Sequence, residues 1–501
     1  MRESLFCLLA LLLSAGCQVG EAGNTEVLQN RNGKLVSFSH PQTECSQCHA
    51  QHVEEWEISN HAYAAKDPVF HAMVKAGQAQ TEGKIGQFCV QCHSPVGLAT
   101  EQTPVFFDED LGVFQQETED LDAVAQQGVS CDVCHSITDV IEPQNARMVL
   151  TPDGTKRGTI VDPVPTEAHQ SSYSQLHTTS EVCGSCHAVT TPRGALAEET
   201  FSEWASSDAA KQGKTCQSCH MPEYIGQAAP DAPERTLHRH TFVGVDVSLL
   251  PPDEFPGYES MRELVRAMLE SSAKLDMRMV ASQNFEQRQE RALEVTISNL
   301  TGHALPTGAT AERQLWLEII IKNSAGDIVF ESGTLDAHGD IRDGIASHSS
   351  RPGTDPQLAY YGQYLIEDQI LKSLTDPQEI EERKKALDQA CDAIVQGGTN
   401  APAEVKVVTF PWQANWQCNR MIAPDASSKH LFSLQELPAA KYSASLRLLF
   451  RTFPPYFLRE LEEVGALDAA VKDRVPLVTV AQKEWAFQIG GDGFVLPGQT
   501  H

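Results

Sequence analysis

The sequence predicts an α+β chain in which a mainly helical and loop domain, 45–245, precedes a β-sandwich-like domain with helical inserts, 291–501. Two observations predict this division. Five copies of one short cysteine–histidine motif lie in the first half, too densely spaced for an ordinary side-chain core. After about residue 290 the apolar residues alternate, which is typical of strands. The segment between them, 246–290, is predicted to be a linker with a connector helix.

The repeated motif is Cys-x-x-Cys-His, and its spacing has a chemical reason. Two thiols three residues apart can each add to one vinyl group of a single haem, and the following histidine is then held under the iron. A thioredoxin-like pair would occur once, and zinc ribbons lack a histidine after each second cysteine. The sequence therefore predicts five covalently bound haems c with five proximal histidines. The copies are Cys45, Cys48, His49; Cys89, Cys92, His93; Cys131, Cys134, His135; Cys183, Cys186, His187; and Cys216, Cys219, His220.

The second axial ligand of each iron decides whether that haem only carries electrons or can also react. A second imidazole gives a six-coordinate electron-transfer haem, whereas an open position gives a reactive one. By their placement among the motifs, we predict His61 and His177 as distal ligands, with His303 also a candidate. For His169 and His240 a distal ligand and a merely hydrogen-bonded side chain are equally good interpretations.

The N-terminal region resembles the cytochrome c-554 family over roughly residues 40–225. The resemblance rests on Cys45-x-x-Cys48-His49 followed by Trp56-x-x-x-x-His61-Ala, and on Gly128-Val-Ser before the third motif. It implies four haems in stacked and perpendicular pairs, an arrangement also found in hydroxylamine oxidoreductase and pentahaem nitrite reductase, and it implies that His61 is a distal ligand. The fifth motif, Cys216 to His220, departs from the family, as does the whole C-terminal half.

The C-terminal half is similar to the β-domains of other multihaem cytochromes, which carry a Gly-His-x-x-Pro-Thr-Gly turn like the one around His303. We predict that this turn inserts His303 onto a haem; the alternative is that the β-domain only buttresses the haem domain. Helices are predicted at 259–280 for the connector, at 376–396 and at 455–473. Strands are predicted at Leu293–Ile297, Leu315–Ile321, Ile328–Phe330, Val405–Val408 and Ser443–Phe450, with a hairpin turn at Asn323–Asp327.

Cys391 and Cys418 are the cysteines of the second half, and they belong to no motif. In an oxidising compartment they are predicted to form a disulfide that closes a loop containing Trp412 and Trp416. Two unpaired buried thiols are the alternative.

The N-terminus predicts export. An apolar run, Leu5–Leu13, is followed by Ser-Ala-Gly-Cys17, which resembles a bacterial lipoprotein signal over 1–17 with Cys17 acylated. An ordinary cleaved secretory signal is the alternative. Residues 18–44 would then tether the chain to a membrane, with the outer membrane favoured.

The formal net charge of −29 argues against nucleic acid as a partner and is compatible with a basic redox partner. We predict an electron-transfer protein that meets redox partner proteins, other multihaem cytochromes among them. Two alternatives stay open: an oxidoreductase acting on a small nitrogen or sulfur species at one five-coordinate haem, and a structural subunit of a cytochrome complex.

Overall fold

The computed structural model describes residues 38–100, 103–108, 110–116, 125–164, 166–283, 289–345, 348, 354–395, 402, 404–490 and 495–497, without the side chains of 281–283, 289–290 and 495–497. The predicted signal, Cys17 and most of the tether lie outside these residues. In the described part of the chain, no helix combines the length and the apolar character needed to cross a bilayer.

The helices are α1 Ser46–Glu57, α2 Asn60–Tyr63, α3 Pro68–Thr81, α4 Val90–His93, α5 Pro95–Ala99, α6 Cys131–His135, α7 Glu181–Gly184, α8 Thr200–Ser206, α9 Asp208–Lys211, α10 Cys216–His220, α11 Tyr258–Ser272, α12 Gln369–Ser373, α13 Pro377–Val395 and α14 Pro455–Glu463. The strands of the first half are β1 Val105–Asp108, β2 Val113–Gln116, β3 Ile137–Val140, β4 Met148–Leu150, β5 Thr155–Gly158, β6 Gln170–Tyr173, β7 Val189–Thr190, β8 Leu196–Glu198, β9 Glu223–Gln227 and β10 Glu234–His238. Those of the second half are β11 Ala273–Gln283, β12 Gln289–Asn299, β13 Gln314–Asn323, β14 Ile328–Ser332, β15 Ala359–Tyr361, β16 Gln363–Asp368, β17 Val405–Val408, β18 Trp416–Asn419, β19 Ser427–Ser433, β20 Lys441–Arg451, β21 Val478–Ile489 and β22 Val495–Pro497.

The first half consists of short helices and two-stranded sheets around a large cavity. Helices α4, α6 and α10 each end on a motif histidine, so the motif is itself about one helical turn. In a helix, residues three apart lie on the same face, which brings the two cysteines of a motif to one side. The apolar clusters here are small; one joins Phe38 and Val133 to the β3–β4 hairpin.

The second half is a β-domain whose two main sheets pack face to face. One sheet has the order β11-β12-β19 and the other β14-β13-β20-β21-β22, with β15 paired to β13. Alternate residues of β12, such as Val295, and of β13, such as Leu317, are fully buried in one cluster between the sheets. This alternation is what a sandwich requires of its inner faces. The predicted α+β class is confirmed.

The connector helix is shorter than predicted. Helix α11 ends at Ser272, and 273–280 belongs to β11, which pairs with β12 along its length. Within α11, Met261, Val265 and Leu269 are buried at helical spacing, whereas Leu275 and Met277 beyond it alternate and pack on the sandwich core. The apolar residues of 259–280 therefore change period within one continuous run, and the prediction was wrong to read all of them as one helix.

A third sheet, β17-β16-β18, is covered by α13, and here Cys391 of α13 is bonded to Cys418 of β18. Their Cα atoms are 5.6 Å apart, within the usual range for a disulfide. The bond closes a segment that contains the Phe410–Trp412 stack, in which the ring centres are 4.7 Å apart.

Removing this bond is expected to destabilise the β-domain. The cysteines are 27 residues apart, so replacing both with alanine lowers the free energy of unfolding by about 3–4 kcal/mol, because the unfolded chain gains conformational entropy. The denaturant midpoint of the holoprotein measures this loss. The matched reference is the wild-type holoprotein, and an equal midpoint for both proteins would contradict the prediction.

Candidate haem-binding site

One cavity of about 1860 Å³ runs through the first half and is lined by the cysteines and histidines of all five motifs. Pockets for single small molecules usually measure about 300–1,000 Å³. A cavity this large, surrounded by repeated attachment motifs, fits several bulky prosthetic groups rather than one ligand. We number the motifs as sites 1 to 5 in chain order.

The histidines of four motifs are oriented as metal ligands require. Metal-binding histidines usually donate their other ring N–H to a carbonyl or carboxylate, which fixes the tautomer and the ring direction. At four sites the structure provides such an acceptor for Nδ1, and the Nε2 nitrogen is then the one available to a metal. Nδ1 of His49, His135 and His220 lies 2.6 Å from the carbonyl oxygens of Ala228, Arg157 and Val243, and Nδ1 of His187 lies 3.0 Å from Glu198 Oε1.

A second histidine faces the motif histidine at four of the five sites. Metal–imidazole bonds are about 2 Å long, so two imidazoles on one metal have ring centres about 6 Å apart. The four facing pairs have this spacing. They are His49 with His169 at 6.2 Å, His61 with His187 at 6.3 Å, His135 with His240 at 6.4 Å, and His220 with His303 at 6.3 Å.

Two further histidines lie near motif histidines but have Nε2 hydrogen bonded to protein. His177 is 6.1 Å from His135, and its Nε2–H donates to the Cys134 carbonyl while Nδ1 accepts from the Ser174 hydroxyl. His52 is 6.3 Å from His49, but its Nε2 lies 3.0 Å from the Tyr224 hydroxyl. Nδ1–H of His240 donates to the His238 carbonyl, which leaves Nε2 free. The geometry therefore favours His240 over His177 opposite His135.

Burial keeps most of these imidazoles neutral, which is the form that binds a metal. Removal from water, with repulsion from neighbouring histidines, lowers the pKa of His61 and of His240 to about 3. Burial likewise lowers the pKa of His135 and of His303 to about 4. At neutral pH the lone pairs of these rings are available to a metal.

His187 differs from the other motif histidines because Glu198 stands beside it. Burial alone would lower the pKa of His187, but the hydrogen bond and the negative charge of Glu198 raise it to about 9. The His187 side chain keeps 51% of its surface, and that surface faces the cavity. A carboxylate bound to the second ring nitrogen also increases the basicity of a histidine ligand. Glu198 belongs to no motif, so its contact with His187 was not predicted from the sequence.

Site 2 lacks a facing histidine among the residues that the structure describes. Phe70 of α3 lies against His93, with ring centres 4.6 Å apart and planes inclined by only 3°. His93 itself is hydrogen bonded to the backbone of Ala64, and burial lowers its pKa. Site 2 therefore differs from sites 1, 3, 4 and 5.

Cysteines of different motifs contact one another across the cavity. The thiol of Cys45 is within hydrogen-bonding reach of Cys131, which brings sites 1 and 3 together. Cys92 contacts Cys186, which joins sites 2 and 4. The remaining contact, Cys183 with Cys216, joins sites 4 and 5.

Sites 1 to 3 lie within residues 44–136, which match the family model described as cytochrome c554 and c-prime. This match, with a fold and a cavity built around repeated attachment motifs, defines a multihaem c-type cytochrome, a class whose chemistry is electron transfer. The fold is similar to that in the crystal structure of a penta-heme cytochrome c552 from Thermochromatium tepidum. That similarity has a TM-score of 0.54 at 20% identity and covers 89% of this chain and 98% of the other. No curated protein matches the chain.

Proposed function

We propose that the chain binds five haems c, one at each motif, and conducts electrons along them. The observation that carries this proposal is one common cavity lined by the ten cysteines and five histidines of the motifs. Haem supplies one-electron chemistry at its iron. The protein holds the five groups close together in a buried, largely apolar space, which suits transfer between neighbouring groups without release of intermediates.

Sites 1, 3, 4 and 5 are proposed to have two histidine ligands each. The distal ligands would be His169, His240, His61 and His303, respectively, because each faces its motif histidine at the spacing of two imidazoles on one metal. Two imidazoles give a six-coordinate, low-spin iron suited to electron transfer. His177, a ligand predicted from the sequence, is not included because both its nitrogens are hydrogen bonded to the protein.

The cysteine contacts give the proposed order of the conductor. Site 1 is adjacent to site 3, and site 4 is adjacent to sites 2 and 5. Site 3 is linked to site 4 because Cys186 lies close enough to Cys134 to raise the pKa of the Cys134 thiol. Electrons would therefore pass from site 1 through sites 3 and 4 to site 5, with site 2 as a branch at site 4.

A second candidate function concerns site 2. Phe70 stacks on the face of the His93 ring with centres 4.6 Å apart, too close to lie across an iron from it, and no described histidine faces His93 at the spacing of two imidazoles on one metal. An iron at site 2 would therefore keep one open position, which could bind a small nitrogen or sulfur species. Site 2 would then be the reactive end of the conductor. Site 2 is therefore our proposed location for the alternative of an oxidoreductase with one five-coordinate haem.

We further propose that the chain is exported and anchored in a membrane through acylated Cys17. Support comes from the leader-like residues 1–17. The acidic net charge disfavours electrostatic binding to an anionic lipid surface. The lipid on Cys17 would supply the membrane attachment.

Two measurements on the oxidised holoprotein test the main proposal. Pyridine haemochrome analysis is expected to give five haems per chain. Low-temperature electron paramagnetic resonance (EPR) is expected to give four low-spin irons and one high-spin iron.

The high-spin signal should shift when cyanide, nitrite or hydroxylamine is added, because these bind an open iron. A count below five would contradict the loading of every motif. Five low-spin irons would leave the conductor standing but remove the second candidate, since site 2 would then have a distal ligand.

A further inference from the structure

The turn that carries His303 is attached to the haem domain by side chains of α8. Glu203 Oε2 accepts a hydrogen bond from the Ala304 N–H at 3.1 Å and from the Thr307 hydroxyl at 2.5 Å. Thr200 Oγ1 lies 2.8 Å from Thr307 Oγ1 and accepts from the Gly308 N–H at 3.0 Å. Four polar contacts thus join one turn of the β-domain to one short helix of the haem domain.

The same turn is fixed from the β-domain side. The Asn299 amide nitrogen donates to the carbonyls of His303 at 2.7 Å and of Ile422 at 3.0 Å. Close packing adds to this, because a Cβ atom at Gly302 would come within 3.0 Å of the Ala209 Cβ atom in α9. Glycine therefore permits the turn to approach the haem domain closely, and the turn is held between the two domains.

Glu203 is itself incompletely satisfied. Its second oxygen, Oε1, is buried and has no hydrogen-bond partner among the described residues. A buried polar atom without a partner costs free energy, so its presence in a folded protein calls for an explanation. The stability of α8 does not explain why a carboxylate is kept here, because both hydrogen bonds of Glu203 go to the turn that carries His303.

We propose that Glu203 is a positioning residue that holds His303 at the distal side of site 5. The inference rests on the proposed function, in which His303 and His220 bind the same iron. The ring centres of these histidines are 6.3 Å apart and their planes are inclined by 20°. Nδ1–H of His303 donates to the carbonyl of Ala304, and the N–H of the same residue donates to Glu203. Glu203 therefore holds the residue that orients the His303 ring. Docking of the β-domain and ligation of site 5 are thereby coupled through one carboxylate.

The test is the number of high-spin irons per chain in the holoprotein, measured by EPR and by cyanide titration. Glu203→Ala is expected to raise this number by about one, because the turn loses both hydrogen bonds and His303 no longer stays opposite His220. Glu203→Gln should restore much of the low-spin signal, since its amide oxygen can still accept from Ala304 and Thr307. Glu199→Ala is the matched control, because Glu199 binds Asn419 of the β-domain at 3.2 Å but not the turn.

A wild-type spin count in Glu203→Ala would overturn the positioning role. His303→Ala separates this failure from that of the proposed function: if it too leaves the spin count unchanged, His303 is not a ligand at all. Should Glu203→Ala fail to load five haems, Thr307→Val removes two contacts from the turn side, those of the Thr307 hydroxyl with Glu203 and with Thr200, and must still raise the high-spin fraction. No rise in that variant would also overturn the proposal.

Discussion

Replacing His61 with glycine is expected to convert one low-spin iron per chain to high spin. In the structure His61 faces His187 with ring centres 6.3 Å apart, and no other described histidine occupies that position. Burial lowers the pKa of His61 to about 3, so the ring is neutral and able to bind a metal at any physiological pH. Its loss would leave the site 4 iron with one protein ligand. EPR and the visible spectrum of the oxidised holoprotein measure the change.

Added imidazole should restore the low-spin signal in His61→Gly, because the space left by the side chain is the size of the missing ring. His71→Gly is the control: His71 is a partly buried histidine of α3 whose Nε2–H donates to the Ala65 carbonyl. It should leave the spin count unchanged. An unaltered count in His61→Gly would show that His187 has another partner.

The effect at site 4 should extend beyond one haem. Cysteines of site 4 contact cysteines of sites 2 and 5, and the charge of Cys186 in site 4 acts on Cys134 of site 3. Loss of an imidazole raises the reduction potential of the site 4 iron or opens that iron to solvent. In either case electrons would be held at site 4, where the paths from sites 2, 3 and 5 meet. Electron transfer between the ends of the array should therefore slow in His61→Gly, whereas a change at site 1 would affect one end only.

Local patterns made some features predictable from sequence. A haem attachment motif is five consecutive residues, and the helical turn that presents it, such as Cys131–His135, needs no distant contact. Some strands of the β-domain were predictable because one face is buried, as in β20, where Ala444, Leu446 and Leu448 are buried and the residues between them are not. By contrast, β11 was mistaken for helix because its apolar residues follow those of α11 without a break.

Distal partners are a tertiary property, and sequence alone left them ambiguous. His177 and His240 are both close to His135, and only the hydrogen bond from His177 to the Cys134 carbonyl distinguishes them. Nothing in the sequence around Phe70 indicates that a phenyl ring lies against His93. Glu203 was missed for the same reason, because its partners lie in the β-domain.

Gly128→Ala is expected to be the most damaging single-methyl change near a haem site. Gly128 has a positive φ of 60°, and a Cβ atom there would lie only 2.3 Å from the His61 carbonyl oxygen. The left-handed conformation costs about 1–2 kcal/mol for alanine, and relief of the overlap by backbone movement costs about 1–3 kcal/mol more. The denaturant midpoint of the holoprotein measures this loss, and EPR reports whether His61 has moved.

Gly112→Ala provides the matched control, because Gly112 also has a positive φ, 69°, but a Cβ atom there would meet nothing within 4 Å. It should show the conformational cost alone and a normal spin count. Equal effects in the two variants would mean that contact with His61 is unimportant.

The contact of Gly128 with His61 has a clear structural role: the Val129 N–H donates to the His61 carbonyl at 2.9 Å, and the Trp56 indole N–H donates to the Val129 carbonyl at 2.9 Å. Glycine at 128 lets the segment before the third motif reach the backbone of His61, and so fixes the imidazole that faces site 4.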